Sequence, residues 1–271
     1  MSRFKYSDKK TNPPIWASQN FLTSKKTIHR LVRKTSINSK DHVIEIGPGK
    51  GHITGILTQH CQKVSAVEID RDLYNGLREK YGESHKVRLY HWDFLKWPLP
   101  ASGEYKVFAN IPFSCTTSIL RKLTEFKNPP QEAWLIMEKG AAKRFMGLPS
   151  ENLRSLMIKP LFDMKISYFF SREDFHPMPG VDVVMIHLKR KPFRDIPAAQ
   201  WRDYQNFISA GFMGNGTGLL RLFTKGQLSK ARKIAGINEL ASGETLYIQW
   251  LCLFRCLQGV KTSSNNPPHR R

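Results

Sequence analysis

Four short apolar runs in this 271-residue sequence each lead into residues with chemistry to offer. Val43-Ile44-Glu45-Ile46 runs into Gly47-Pro48-Gly49-Lys50-Gly51. Val64 to Ile69 carries Glu68 near its end, and Val87 to Trp92 is closed by Asp93. Tyr105 to Ala109 is followed by Asn110-Ile111-Pro112-Phe113. The Asn110 side-chain oxygen and the Ile111 carbonyl can each accept one hydrogen bond. An exocyclic amine on a nucleobase presents two N–H donors and no good acceptor. Its lone pair is delocalised into the ring, so it is a weak nucleophile. Two fixed acceptors would draw the nitrogen towards a tetrahedral shape and localise that pair. Phe113 offers a flat face for an extruded base, worth about 1–3 kcal/mol, and base-modifying enzymes generally work on extruded bases. Taken alone, the tetrapeptide reads equally as a strand running into a turn with a core Phe.

The elements that must position these groups follow from the same pattern. Pro112 cannot donate to a ladder, so the strand stops there. Ser114 to Ser118 supply hydroxyls to cap a helix from about Thr117, buried through Leu120, Leu123 and Phe126. The glycines allow a tight turn and close approach to a ligand, then a helix with Ile53, Ile56 and Leu57 on one face. A glycine-rich turn is a weak signal alone, shared with nicotinamide and flavin enzymes, and Lys50 would also suit a phosphate. The spacing here is G-x-G-x-G rather than G-x-G-x-x-G, with Glu45 ahead of it. Glu68 lies about 20 positions beyond the glycines, where an acid can accept both hydroxyls of a ribose; otherwise it is a surface carboxylate. Asp93 is either a ligand or a turn residue before Pro98 and Pro100.

Thr23 is the expected cap of a first helix with an Ile28, Leu31, Val32 stripe, and Asp72 of one through Lys80. Ala133 to Met137 reads as a fifth strand, and Lys165 to Phe170 with Val181 to Leu188 as a late hairpin. Alternating strands and helices imply a mostly parallel sheet covered on both faces. Ligands bind such sheets at the carboxyl ends of the strands.

Lys plus Arg number 43 against 22 Asp plus Glu, a net charge of +21, which points to a polyanionic partner, nucleic acid before anionic membrane. No apolar run approaches the ~18 residues of a membrane span, and no signal-peptide core is present. Cys61, Cys115, Cys252 and Cys256 form no C-x-x-C pair and read as buried thiols of a reducing cytoplasm. The histidines show no ligand spacing, so no metal is expected. Residues 1–17 form a basic arm that either lies on RNA phosphates or is a disordered tail. Residues 18–190 make the ligand-binding α/β domain, ending in Lys189-Arg190-Lys191-Pro192-Phe193-Arg194. Residues 191–260 read as a small helical domain that grips RNA, with stripes of Trp201, Tyr204, Phe207, Ile208 and of Leu246, Trp250, Leu253, Phe254, Leu257. Residues 261–271 are a polar tail expected to be disordered.

Asn110-Ile111-Pro112-Phe113 resembles the N-[IL]-P-[FY] motif of rRNA adenine-N6 methyltransferases, which include the erythromycin-resistance (Erm) methylases and the small-subunit dimethyladenosine transferases. The resemblance covers roughly Gln19 to Leu188 and implies the Rossmann-like, seven-stranded class I S-adenosylmethionine-dependent methyltransferase fold, its last strand antiparallel. By that resemblance Gln19, Asn20, Leu22, Gly47, Gly49, Glu68, Ile69, Asp93, Phe94 and Asn110 bind S-adenosylmethionine. Asn110, Ile111, Pro112 and Phe113 hold the target adenine. Phe175, in Phe175-His176-Pro177-Met178-Pro179, is either a second wall of the base pocket or a core residue. Lys139, Lys143 and Arg144 would meet phosphate. Thr116-Thr117 after the motif and the short C-terminal part resemble the Erm branch. That branch implies a cytoplasmic, monomeric enzyme that methylates one adenine in the peptidyl-transferase region of 23S rRNA, protein-free or as a precursor. Resistance to macrolides, lincosamides and streptogramin B would follow. Phe113 stands where Tyr is commoner, which removes a hydroxyl and keeps the stacking face. The alternatives are a 16S rRNA dimethyltransferase, a non-catalytic nucleic-acid-binding protein on the same scaffold, and a nicotinamide oxidoreductase.

Overall fold

A computed structural model describes residues 20–265, so the basic arm, Gln19 and residues 266–271 lie outside the described residues. The chain order is β1 (Phe21–Leu22), α1 (Lys25–Arg33), β2 (His42–Ile46), α2 (His52–His60), β3 (Lys63–Glu68), α3 (Arg71–Tyr81) and β4 (Val87–His91). β5 (Lys106–Asn110), α4 (Thr116–Glu125), β6 (Glu132–Glu138), α5 (Lys139–Met146), α6 (Leu153–Ile158), β7 (Phe162–Phe169), β8 (Phe175–His176) and β9 (Val183–Arg190) complete the α/β part. A seven-stranded sheet runs β4-β3-β2-β5-β6-β9-β7. Every neighbour pair from β4 to β6 is parallel, and β9 lies antiparallel between β6 and β7. This is the expected fold, with the last strand reversed. The late strands are neighbours as expected, but Ser171 to Asp182 separate them and include β8, which pairs with β1 instead.

The sheet is buried on both faces, which is why β2, β3 and β5 read as continuous apolar runs. One core cluster holds Ile46, Val107, Ala109, Leu120, Leu135 and Ile186; the other holds Ile28, Leu31, Val43, Leu57, Phe108 and Trp134. Each buried Val, Leu, Ile or Phe among them contributes about 1.5–3 kcal/mol. Lys106 is tolerated in an apolar strand because its Nζ reaches the Asp41 carboxylate at 2.9 Å and the Ser36 carbonyl at 2.8 Å.

Several boundaries move. Ser24, not Thr23, caps α1, accepting from the Thr27 amide. Asp70, not Asp72, caps α3, accepting from the Asp72 and Leu73 amides at 2.9 Å. α4 begins at Thr116 after a 3-10 turn over Phe113–Cys115 and has no side-chain cap. The C-terminal part is helical as expected, with α7 (Trp201–Phe212), α8 (Lys225–Ile234) and α9 (Tyr247–Asn265) around Tyr204, Phe207, Trp250 and Phe254. α9 runs five residues into the expected tail. Leu246 precedes it and is 59% exposed, so it leaves the stripe assigned to it. Leu156 of α6 joins this third core, and the Tyr204 hydroxyl donates to its carbonyl at 2.9 Å.

Candidate active site

The chain runs from β2 to β3 and β4 in one direction, then returns to β5 and β6 on the other side of β2. The carboxyl ends of β2 and β5 therefore flank the switch point, where an open sheet leaves a crevice. Gly47 and Asn110 stand on its two sides.

Two small adjoining cavities fill that crevice, sharing Gly47 and Pro112. One, of about 110 Å³, is lined by Ile46, Gly47, Val67, Glu68, Ile69, Trp92, Asp93, Phe94, Leu95, Pro112, Cys115 and Ile119. Its acid at the end of β3 is firmly held. One Glu68 oxygen accepts the Gly49 amide at 3.0 Å, and the other accepts the Ile69 and Asp70 amides at 2.9 and 3.0 Å. Burial raises the Glu68 pKa, and these backbone bonds oppose the rise. Asp93 lines the cavity and accepts the Leu95 amide at 2.8 Å as a turn residue. α4 braces the loop beneath: Lys122 Nζ donates to the Phe94 carbonyl at 2.7 Å and the Leu95 carbonyl at 2.9 Å.

The cavity's chemistry fits a nucleoside bearing a positive centre. Two carboxylates, Glu68 and Asp93, meet hydroxyl and amino donors, and Ile46, Val67, Phe94 and Ile119 supply apolar walls. The cavity lining includes no Lys or Arg, so nothing there balances a pyrophosphate. That disfavours the nicotinamide alternative and suits S-adenosylmethionine.

The second cavity, of about 20 Å³, is lined by Asn20, Phe21, Gly47, Asn110, Ile111, Pro112 and Phe113. It brings together the whole Asn110 motif. The Asn110 amide nitrogen donates to the Asn20 carbonyl at 2.7 Å, which turns the side-chain oxygen to the opposite side, where it meets no donor among the described residues. The Ile111 amide continues the ladder to the Ile136 carbonyl at 3.2 Å, while its own carbonyl meets no donor among the described residues. Phe113 is half-buried, one side packed on the core and the other facing the cleft.

The first strand closes this mouth. Phe21 and Leu22 pair antiparallel with His176 and Phe175. A Cβ on Gly49, whose φ is +57°, would come within 2.7 Å of the Phe21 ring. Both cavities fall below the ~300 Å³ of typical ligand sites, and this two-strand ribbon covers the smaller one. Leu22 and Phe175 hold the ribbon from below. They are 2% and 4% exposed, and Phe175 packs on Phe170 with ring centres 5.1 Å apart. Phe175 is therefore a core residue here and not among those lining the cleft, because its pairing with Leu22 turns it inward. Leu22 likewise contributes its side chain to the core.

Phe21 was not singled out as a ligand-site residue from the sequence, nor were Ile46, Val67, Trp92, Leu95, Cys115 and Ile119. Most adjoin a predicted position by one residue, and that adjacency was the available signal. Glu45 is buried, accepts the Thr54 hydroxyl at 2.7 Å, and has its pKa pushed up to about 8, chiefly by burial. It ties β2 to α2 behind the glycine turn. Among the described residues no group of three or more His, Cys, Asp or Glu could hold a metal, and no helix is long and apolar enough to cross a membrane.

Comparison with known proteins agrees with this geometry. The family profile of ribosomal RNA adenine dimethylases matches residues 15–255. An rRNA adenine N-6-methyltransferase of Limosilactobacillus reuteri is 35% identical over 88% of this chain and 93% of that protein. One from Escherichia coli is 33% identical over 90% and 96%. The crystal structure of the 23S rRNA methyltransferase ErmE superposes with a TM-score of 0.79 at 27% identity, covering 88% of this chain and all of that one. A Plasmodium falciparum dimethyladenosine transferase shares the fold, with a TM-score of 0.68 at 18% identity over 90% of this chain and 98% of that one. The chain belongs to the ribosomal RNA adenine dimethylase family: it is an rRNA adenine N6-methyltransferase, and its methyl donor is S-adenosylmethionine.

Proposed function

We propose that the substrate is 23S rRNA, that one adenine of its peptidyl-transferase loop is methylated, and that resistance to macrolides, lincosamides and streptogramin B follows. The observation that carries this reading is the likeness to ErmE, at 27% identity and a TM-score of 0.79, against 18% and 0.68 for the dimethyladenosine transferase. The Asn-Ile-Pro-Phe motif followed by Thr116-Thr117 supports the same branch. The enzyme is expected to act in the cytoplasm, as a monomer, on protein-free or precursor RNA.

The chain's residues divide the work as follows. An adenine leaves its stack and lies on Phe113. The Asn110 side-chain oxygen and the Ile111 carbonyl take its two amine hydrogens. Their fixed directions localise the lone pair and aim it along one line, so positioning and electrostatics supply most of the acceleration. When bound, S-adenosylmethionine supplies an electrophilic methyl group on a positive sulfur. Glu68 and Asp93 hold and orient that donor and favour its positive charge. The product amine loses its proton to water, since the lining of the Asn110 cavity offers no side-chain base.

Tritiated S-adenosylmethionine with protein-free 23S and 16S rRNA, followed by primer extension, tests the reading. A single stop in the 23S peptidyl-transferase loop is the expected result. Label in the 16S 3′ end would move the chain to the small-subunit branch. No label in either RNA, despite cofactor binding, would favour the non-catalytic alternative or another RNA.

A further inference from the structure

Phe169 is a large apolar side chain left 63% exposed, on the same end of the sheet as the catalytic cleft. The strand pairing explains how it comes to be there. β7 is the edge strand, and its register with β9 slips between Ile166 and Tyr168, leaving Ser167 as an extra residue. One inserted residue exchanges the two faces for everything after it. Ile166, opposite Ile186, faces the core beneath α4 and α5. Tyr168, opposite Met185, faces the other core, beneath α1. Phe169 therefore comes opposite Val184 on the α5 side instead of packing beneath α1.

Its surroundings are cationic. Lys139 Nζ, at the start of α5, sits 5.9 Å from the ring centre. Asp182 accepts from Lys139 at 3.3 Å, which holds that cation beside the phenyl group, and from Arg172 at 3.0 Å. Lys143 and Arg144 extend the exposed positive surface along α5. Asn110 pairs with Ile136 of β6, Met137 with Val184 of β9, and Val184 with Phe169. Three interstrand steps of ~4.8 Å place the Phe169 backbone about 14 Å from that of Asn110 at nearly the same height. An exposed aromatic with a cation beside it suits a chain that alternates flat bases with phosphates, as in single-strand binding sites. A protein partner would call for a broader apolar patch.

We propose that Phe169 is a stacking platform for one unpaired base of the RNA substrate, a few nucleotides from the flipped adenine. Lys139, Arg172, Lys143 and Arg144 meet the phosphates between. The inference rests on the RNA-methylating reading and adds a specificity contact to it. Phe169→Ala should raise KM for a hairpin transcript spanning the methylated adenine by about tenfold or more. The value of kcat, the cofactor Kd and Tm should stay unchanged, and Phe169→Trp should restore KM. Single abasic sites placed along the hairpin locate the contact. One unpaired position should weaken wild-type binding about as much as Phe169→Ala does, with no further loss when the two are combined. Equal KM for Phe169→Ala and wild type would overturn the proposal, as would a Trp variant as poor as Ala. So would additive losses at every abasic position. A wild-type protein that methylates no RNA defeats both readings, whereas an active wild type matched by Phe169→Ala defeats this one alone.

Discussion

Substitutions at Asn110 can separate the two tasks of its amide. The nitrogen is anchored to the Asn20 carbonyl at 2.7 Å, and the oxygen is thereby presented to the target amine. Asn110→Ala removes both. Loss of one preorganised polar partner of a transition state typically costs about 2.7–4 kcal/mol, or 10²–10³ in kcat. The Asn20 carbonyl is also left without its donor. Asn110→Asp keeps an oxygen facing the cleft but replaces the anchoring N–H. At neutral pH a carboxylate oxygen then faces the Asn20 carbonyl oxygen, and their repulsion swings the group out of line. Protonation reverses this, because the neutral acid donates its O–H to Asn20 and leaves the second oxygen in place. The facing carbonyl favours the protonated form, so the carboxyl pKa lies above its ordinary value and the competent form gains as pH falls. Single-turnover transfer of tritiated methyl, at saturating enzyme and cofactor, reads the chemical step directly. The expected result is a rate loss of at least about a hundredfold for Asn110→Ala. The ratio of Asn110→Asp to wild type should rise from pH 8 to pH 5. An Ala variant within a few-fold of wild type, or a flat Asp ratio, would refute the anchoring argument.

Three further outcomes follow from the same site. Gly49→Ala forces a side chain into a φ of +57° and within 2.7 Å of the Phe21 ring; calorimetry should show weaker cofactor binding, and Tm should fall by the equivalent of about 1–3 kcal/mol. Glu68→Gln preserves shape but removes the charge that accepts three backbone amides and lines the cavity; cofactor Kd should rise about tenfold or more, with charged hydrogen bonds worth about 1.5–3 kcal/mol each, and an unchanged Kd would remove Glu68 from the site. Burial raises the Glu45 pKa to about 8, so the folded state holds this proton more tightly than the unfolded chain; stability falls as pH rises from the ordinary Glu range through about 8, and Tm measured across that window should decline more for wild type than for Glu45→Gln.

What could be read without coordinates was whatever the chain encodes locally. β2, β3 and β5 are buried on both faces, so their apolar runs stand out, and the residues that end them mark the crevice. Caps were less legible. Thr23 and Ser24 are both competent, as are Asp70 and Asp72, and backbone geometry at the helix entrance chooses between them. Contacts between distant parts of the chain were not legible at all. The direction of the Asn110 amide depends on Asn20, ninety positions earlier. The inward turn of Phe175 depends on Leu22. The bulge at Ser167 leaves no mark in an edge strand whose residues already mix polar and apolar types, so the placement of Phe169 needed the pairing itself.

The ribbon of Phe21–Leu22 with Phe175–His176 also bears on when the protein becomes competent during its own synthesis. The opening strand leaves the ribosome early and waits while the whole parallel sheet is made. Its partner is encoded after six of the seven sheet strands. Until His176 has emerged, Asn20 has no paired strand to hold it, the Asn110 amide has no fixed direction, and Phe21 does not cover the glycine turn. A nascent chain can therefore have β2 to β5 in place and still lack an aligned acceptor for the target amine. Alignment arrives late, from the beginning and the far end of the domain at once, which keeps methyl transfer a property of the finished domain.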